Sequence, residues 1–149
     1  MMISGVQVKK LKLIKDKRGR LAEILRSDEK MFTKFGQVYL TTARPGVVKA
    51  WHYHKIQTDH FTCVCGKMRL ALYDARKSSK TFGKIQDFIL SLDRPMLIKI
   101  PTRVYHGFKC VSKKEAIVIN IPTEPYNYKK PDEYRIDPYD NDIDYDWRR

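Results

Sequence analysis

From Val6 to Ile121 the chain breaks into short segments in which apolar and polar residues alternate, and no stretch carries the three-four spacing of an amphipathic helix. Val6, Val8, Leu11 and Leu13 alternate with basic residues, which predicts a half-buried strand over 6–14. Further strands are predicted at 35–42, 47–54, 59–65, 68–74, 85–92, 96–100, 104–110 and 116–121. Turn signals separate them: Gly19 in DKRGR, Pro45-Gly46, Gly66, the polar loop 75–84, Asp93-Arg94-Pro95 and Pro101-Thr102-Arg103. Residues 21–25 read equally as strand or as one helical turn. Strands recurring about every 8–12 residues fold as an all-β sandwich or barrel. No internal repeat or linker interrupts the series, so residues 1–149 are expected to form one domain. After Pro122 the chain becomes rich in proline and tyrosine, which predicts an extended C-terminal tail packed across that domain.

Charge narrows the partners. The formal net charge is +13, and residues 131–149 hold seven acids against three arginines, so the basic surplus lies in the body of the chain. Such a surface attracts anions. The lysines are scattered along strands, and no RRM, KH or zinc-finger pattern is present, which argues against nucleic acid and for a small nucleotide-bearing molecule. No apolar run approaches the roughly 18 residues of a membrane helix, and the N-terminus lacks the apolar core of a signal peptide. Three cysteines without CxxC spacing read as reduced thiols. A cytoplasmic protein with no membrane partner is the expectation.

The chemistry concentrates in GVVKAWHYHKIQTDHFTCVCG, residues 46–66, which carries three of the four histidines. On a strand His52 and His54 share one face. Either they hold a metal, or one is a general base and the other shapes its pocket. His60 points away from Asp59 on a regular strand and reads as a packing or surface residue. In cupin β-barrels two histidines, a carboxylate and a distant histidine bind a divalent metal. His52, His54, Asp59 and His106 resemble that spacing, with aspartate where glutamate is usual. Three imidazoles and a carboxylate suit Zn, Fe, Mn or Ni.

A wider set of segments carries a second reading. DKRGRLAE (16–23), GVVKAWHYH (46–54), LYDARKSSKTFG (72–83), IPTRVYHGFK (100–109) and DPYDNDIDYDW (137–147) resemble, in order and over nearly the whole chain, the dTDP-4-dehydrorhamnose 3,5-epimerase family. The resemblance implies a cupin-type jelly roll, a homodimer, a nucleoside-diphosphate sugar as ligand and no metal cofactor. It implies epimerisation of a 4-keto-6-deoxyhexose by proton abstraction alpha to the keto group, in deoxysugar or polysaccharide biosynthesis. By that resemblance His52 is the base, Asp140 of the tail orients its imidazole, and His106 is a second pocket histidine. Arg18 and Glu23 fall on nucleotide-contacting positions, often donated across the dimer interface. Lys49 stands near the diphosphate and Gln37 at a substrate contact.

Two positions depart from the family pattern. The lysine near the 4-keto oxygen is Asp59 here, and the tyrosine that donates a proton opposite the base is Asn120. A carboxylate does not stabilise an enolate as an ammonium does, and an amide is not a general acid. Tyr39 and Tyr105 are the replacements near pocket strands, although packing is the commoner role of such aromatics. The departures leave open epimerisation at C3, C5 or both, a related keto-sugar isomerase, a sugar-nucleotide-binding cupin without turnover, and the metal reading.

Overall fold

A computed structural model describes all 149 residues as strands, turns and loops. The strands are β1 (Gln7–Lys10), β2 (Ile14–Asp16), β3 (Gly19–Leu21), β4 (Tyr39–Ala43), β5 (Val48–Tyr53), β6 (Asp59–Cys65), β7 (Lys67–Asp74), β8 (Ile85–Ser91), β9 (Met96–Ile100), β10 (Val104–Cys110), β11 (Ala116–Asn120) and β12 (Tyr134–Arg135). They form two five-stranded antiparallel sheets, ordered β1-β9-β6-β11-β4 and β12-β5-β10-β7-β8, with β2 and β3 as a separate hairpin. No helix is long and apolar enough to cross a membrane.

The inner faces of the two sheets meet in one core. Phe61, Ile98, Ile100 and Val118 come from the first sheet, and Met68, Leu70, Leu72, Leu90, Val104 and Phe108 from the second. The alternation in β7 shows why. Met68, Leu70 and Leu72 point inward and are fully buried, while Lys67 points out. Ala71 lies on the outer face of β7 yet is also buried, because the C-terminal tail covers it. Ile143 and Trp147 of that tail pack with Ala71 and Trp51 as a second apolar cluster. The tail is therefore ordered by buried aromatic surface, the term that dominates such packing.

Strand boundaries follow the sequence reading with local differences. The segment 6–14 is divided, because Leu11 turns down against Met31 and Leu97 while the chain leaves the sheet for the β2–β3 hairpin. Residues 22–25 continue neither as strand nor as helix. β12 carries no sequence signal, since its Tyr134 and Arg135 are exposed and its place in the sheet comes from pairing with Tyr53 and His52 of β5.

The approach of β5 to β10 depends on one glycine. A Cβ added at Gly107 would lie 2.2 Å from the Ala50 Cβ, 2.6 Å from the Ala50 Cα and 2.9 Å from the Lys49 carbonyl oxygen. The register between the two strands also shifts here, between the His106↔His52 and Phe108↔Lys49 pairs. Gly107→Ala must push β5 outward and is expected to destabilise the fold by about 3 kcal/mol, the upper part of the overpacking range. Denaturant unfolding measures it, and the double variant Gly107→Ala/Ala50→Gly should recover part of the loss. Wild-type stability of the single variant would contradict the close approach.

Candidate active site

The site lies between the sheets where β5, β6 and β10 converge. β5 and β10 align His52 opposite His106, and their rings are 4.1 Å apart, centroid to centroid. His54 follows β5 and is 5.5 Å from His106 by the same measure. β6, on the other sheet, contributes Asp59, which is 1% exposed. Asp59 Oδ2 is 3.0 Å from His106 Nε2 and 3.2 Å from His54 Nε2. Its Oδ1 accepts a 2.8 Å hydrogen bond from Gln57 Nε2. Each of His52, His54, Asp59 and His106 has a donor atom within 4.8 Å of the others'. His60, next along β6, turns to the opposite face, fully buried, with Nδ1 bonded to the Ile121 carbonyl at 2.8 Å.

Backbone groups fix the orientation of two of these imidazoles. His106 Nδ1 is 3.0 Å from the Val104 carbonyl, and His54 Nδ1 contacts the carbonyl of Asp132. Asp132 also accepts the backbone N–H groups of Lys55, Ile56 and Gln57 with its carboxylate, closing the turn between β5 and β6. At the start of β10, Arg103 adopts φ 62° and donates its N–H to the His54 carbonyl at 2.7 Å. The ring of His52 makes no hydrogen bond to the protein.

The electrostatics follow from burial against charge. Burial would raise Asp59, but the imidazoles of His106 and His54 outweigh it and hold the carboxyl well below the usual range. Burial would lower His54, and Asp59 reverses this to a net rise. The protein packed around His52, with His106 and His54 beside it, pushes that imidazole well below the ordinary value.

A cavity of about 760 Å³ opens over this cluster. One wall is β5, with Lys49, His52 and, just beyond the strand, His54. The facing wall carries Gln37, Tyr39 and Thr41, and the tail adds Tyr126, Tyr128, Glu133 and Arg135. Tyr39 Oη accepts a 2.9 Å hydrogen bond from Asn120 Nδ2, while Asn120 Oδ1 accepts from the His60 N–H at 3.0 Å. Burial and the nearby Asp59 carboxylate push the Tyr39 phenol up to about 12.

The structure brings most, but not all, of the expected residues together. Gln37, Lys49 and His52 line the cavity, His106 meets His52 edge to face, and Asn120 lies behind Tyr39. Asp140 does not reach His52. It is exposed, and its backbone N–H is tied to Asp137 Oδ1 at 2.9 Å, because residues 137–141 form a turn outside the second sheet. The buried carboxylate of the cluster is Asp59, and the tail acid that does structural service is Asp132. Arg18 and Glu23 also lie away from the cavity of their own chain. Arg18 is 84% exposed at the hairpin tip and pairs with Asp16 at 2.7 Å, and Glu23 pairs with Arg26. Tyr105 stacks between Tyr53 and Tyr73, away from the cavity. Sequence reading passed over Tyr126, Tyr128, Glu133 and Arg135. Their only signal was a run of aromatics and charges in a proline-rich tail.

The sequence matches the family model for dTDP-4-dehydrorhamnose 3,5-epimerase over residues 1–149. The chain belongs to the dTDP-4-dehydrorhamnose 3,5-epimerase family. It is 40% identical over 146 residues to the spore coat polysaccharide biosynthesis protein SpsL of Bacillus subtilis, covering 98% of this chain and 97% of that one. It is also 40% identical over 140 residues to the probable low-salt glycan biosynthesis epimerase Agl13 of Haloferax volcanii, covering 93% of this chain and 89% of that one. A dTDP sugar isomerase from Desulfovibrio desulfuricans G20 superposes with a TM-score of 0.91 at 29% identity, covering 97% of this chain and 92% of the other. The fold is thus the cupin-type jelly roll of the epimerase family, and the chain is an enzyme of that isomerase class.

Proposed function

We propose that this epimerase-family enzyme acts on a nucleoside-diphosphate 4-keto-6-deoxyhexose, removing a proton alpha to the keto group and returning one to the opposite face of the ring. The observation that carries this reading is the placement of His52 and Tyr39 on facing walls of one cavity, from different sheets. His52 has a ring free of protein hydrogen bonds, and burial favours its unprotonated form, so it can accept the proton. Tyr39 holds its proton at neutral pH and can deliver it from the other side. Asn120, at the position of the family's tyrosine, donates to Tyr39 Oη and leaves the phenolic hydrogen free to point into the cavity. The departure at Asn120 is thereby offset by a neighbouring phenol.

Lys49 and Arg135 supply cations at the cavity wall for a diphosphate, and Tyr126 and Tyr128 supply faces for a nucleobase. Arg18 and Glu23 enter this reading through a second copy: in a homodimer the partner's hairpin would bring them to the cavity, as the family resemblance implies. The roles of SpsL in spore coat polysaccharide biosynthesis and of Agl13 in glycan biosynthesis support a place in surface polysaccharide synthesis. Three free thiols, at Cys63, Cys65 and Cys110, support a reducing, cytoplasmic setting.

Incubation with dTDP-4-keto-6-deoxyglucose in deuterium oxide tests the reading, with NMR following each carbon. Label is expected at C3, at C5 or at both, and the pattern reports which carbons react. Tyr39→Phe is expected to retain hydrogen exchange at the carbon facing His52 but to form epimer about 100-fold more slowly, the lower part of the range for general acid catalysis. Wild-type protein that exchanges neither position would refute the function. Tyr39→Phe epimerising at the wild-type rate would remove the tyrosine from it.

A further inference from the structure

The strand that carries His52 has a second face. Side chains alternate along β5, so Tyr53 and, just past its end, Lys55 turn away from the first cavity. There they form a second cavity of about 610 Å³ with residues 75–78 after β7 and with the entry to β10. Tyr53 and Tyr105 line it, edge to face with ring centroids 4.7 Å apart, and Lys55, Lys77 and Arg103 stand around them. No acidic side chain lines this cavity. Two acids beside it are already committed. Asp74 binds Arg76, Ser79 and Thr81, and Asp132 binds the backbone N–H groups of residues 55–57. Arg76 is thus neutralised at 2.7 Å, while Lys55, Lys77 and Arg103 have no carboxylate partner. Lys55 Nζ rests over the Tyr134 ring instead, 4.0 Å from its centroid.

Arg103 is the one non-glycine residue of the chain with a positive φ, 62°. Glycine adopts that region freely, whereas a residue with a Cβ is strained in it. The Arg103 N–H donates to the His54 carbonyl, and a glycine N–H would do the same. The backbone therefore gives no reason for an arginine here. Its guanidinium lies on the wall of the second cavity and makes no hydrogen bond or ion pair within the chain. Strain kept for a side chain without a partner in its own protein points to a partner from outside.

We propose that this second cavity binds a nucleoside diphosphate, at a site separate from the first. Three unpaired cations around one concavity match the charge of two linked phosphates, and the guanidinium of Arg103 can fork to two phosphate oxygens. The Ser78 hydroxyl adds a neutral donor on the same rim. Tyr53 and Tyr105 supply aromatic surface for the base or the ribose. Inorganic phosphate would leave both tyrosines and most of the volume unused, whereas the volume suits a small organic ligand. No residue lines both cavities, so the site stands independently of the epimerase reading.

Lysine footprinting tests the site residue by residue. The protein is acetylated with acetic anhydride with and without millimolar dTDP, and mass spectrometry reads the rate at each lysine. Lys55 and Lys77 are expected to react about tenfold more slowly with dTDP, as at a ligand concentration about ten times Kd. Lys113, exposed and outside both cavities, should react at an unchanged rate. Arg103→Gly is expected to fold with at least wild-type thermal stability, since glycine suits this φ, and to lose the protection of Lys55 and Lys77. Lys77→Glu, on an exposed loop, should lose that of Lys55. Lys55 and Lys77 unprotected by dTDP, or protection undiminished in either variant, would overturn the site. Slowing of Lys113 to the same degree would overturn it too, as binding spread over the basic surface. Pyrophosphate protecting as well as dTDP would overturn the nucleoside part. Lys49, in the first cavity, is read in the same digest, so failure of that cavity to bind nucleotide is told apart from failure of this one.

Discussion

His52→Asn is expected to lose about 1,000-fold in solvent hydrogen exchange into a 4-keto-sugar nucleotide, within the range that positioned general bases contribute. Asparagine keeps much of the volume and polarity of imidazole but cannot take up a proton near neutral pH. The effect should fall on the rate more than on substrate affinity, because Lys49, Arg135, Tyr126 and Tyr128 lie elsewhere on the cavity wall. The ring of His52 bonds to no protein group, so its replacement breaks no hydrogen bond, and unfolding should shift little. Rapid-quench NMR gives the rate and nucleotide-sugar calorimetry the affinity. Exchange within tenfold of wild type would remove His52 as the base, whatever the affinity does.

Asp74→Ala is expected to lose about 3–5 kcal/mol of folding stability, as when one partner of a buried ion pair is deleted. Asp74 is fully buried, and its carboxylate accepts five hydrogen bonds. Arg76 supplies N at 3.1 Å, Nε at 2.7 Å and Nη2 at 2.9 Å, and Ser79 Oγ and Thr81 Oγ1 each lie at 2.6 Å. These bonds close the 75–84 loop after β7 and seat the N-terminus, since Arg76 Nη2 also reaches the Ser4 carbonyl and Thr81 Oγ1 accepts the Ser4 N–H. Burial acts to raise the Asp74 carboxyl, and the Arg76, Ser79 and Thr81 bonds outweigh it, so its folded-state value lies well below the ordinary carboxylate range. The sign follows. A depressed folded value means that the stabilisation is present in full above the unfolded value of about 3.9, and fades as pH falls through the folded one. Asp74→Ala should therefore differ most from wild type near neutrality, with the gap narrowing in acid. Denaturant midpoints measured from neutral to strongly acid pH check both size and direction, and an equal gap at every pH would contradict the account.

How legible this protein was depended on the range of the signal. β6, β9 and β10 run where their alternation and flanking turns place them, and β7 differs only by Lys67, because each pattern is local and each strand has one face in the core. β12 was invisible, since two exposed residues carry no apolar pattern. The spacing of His52, His54, Asp59 and His106 is readable; read alone it leaves base and metal ligand undecided, and the family resemblance puts the base reading first. The family resemblance points to Asp140 as the residue that orients His52, and only the path of the tail shows it turned outward while Asp132 closes the β5–β6 turn. Tyr39 and Tyr105 were equal candidates until β4 brought one to the cavity and the stacking of Tyr53 and Tyr73 held the other away from it.

The sequence by itself determined the all-β class, the family, and the residues among which the chemistry must lie, because strand alternation, turn residues and motif order are written along the chain. Tertiary structure alone decided which of those residues meet. The direction of an imidazole nitrogen depends on the carbonyl opposite its other nitrogen, and those carbonyls belong to Val104 and Asp132, set by the entry to β10 and by the tail. That is why the meeting of His54 and His106 with Asp59, and the uncommitted ring of His52 beside them, show only once the sheets are packed.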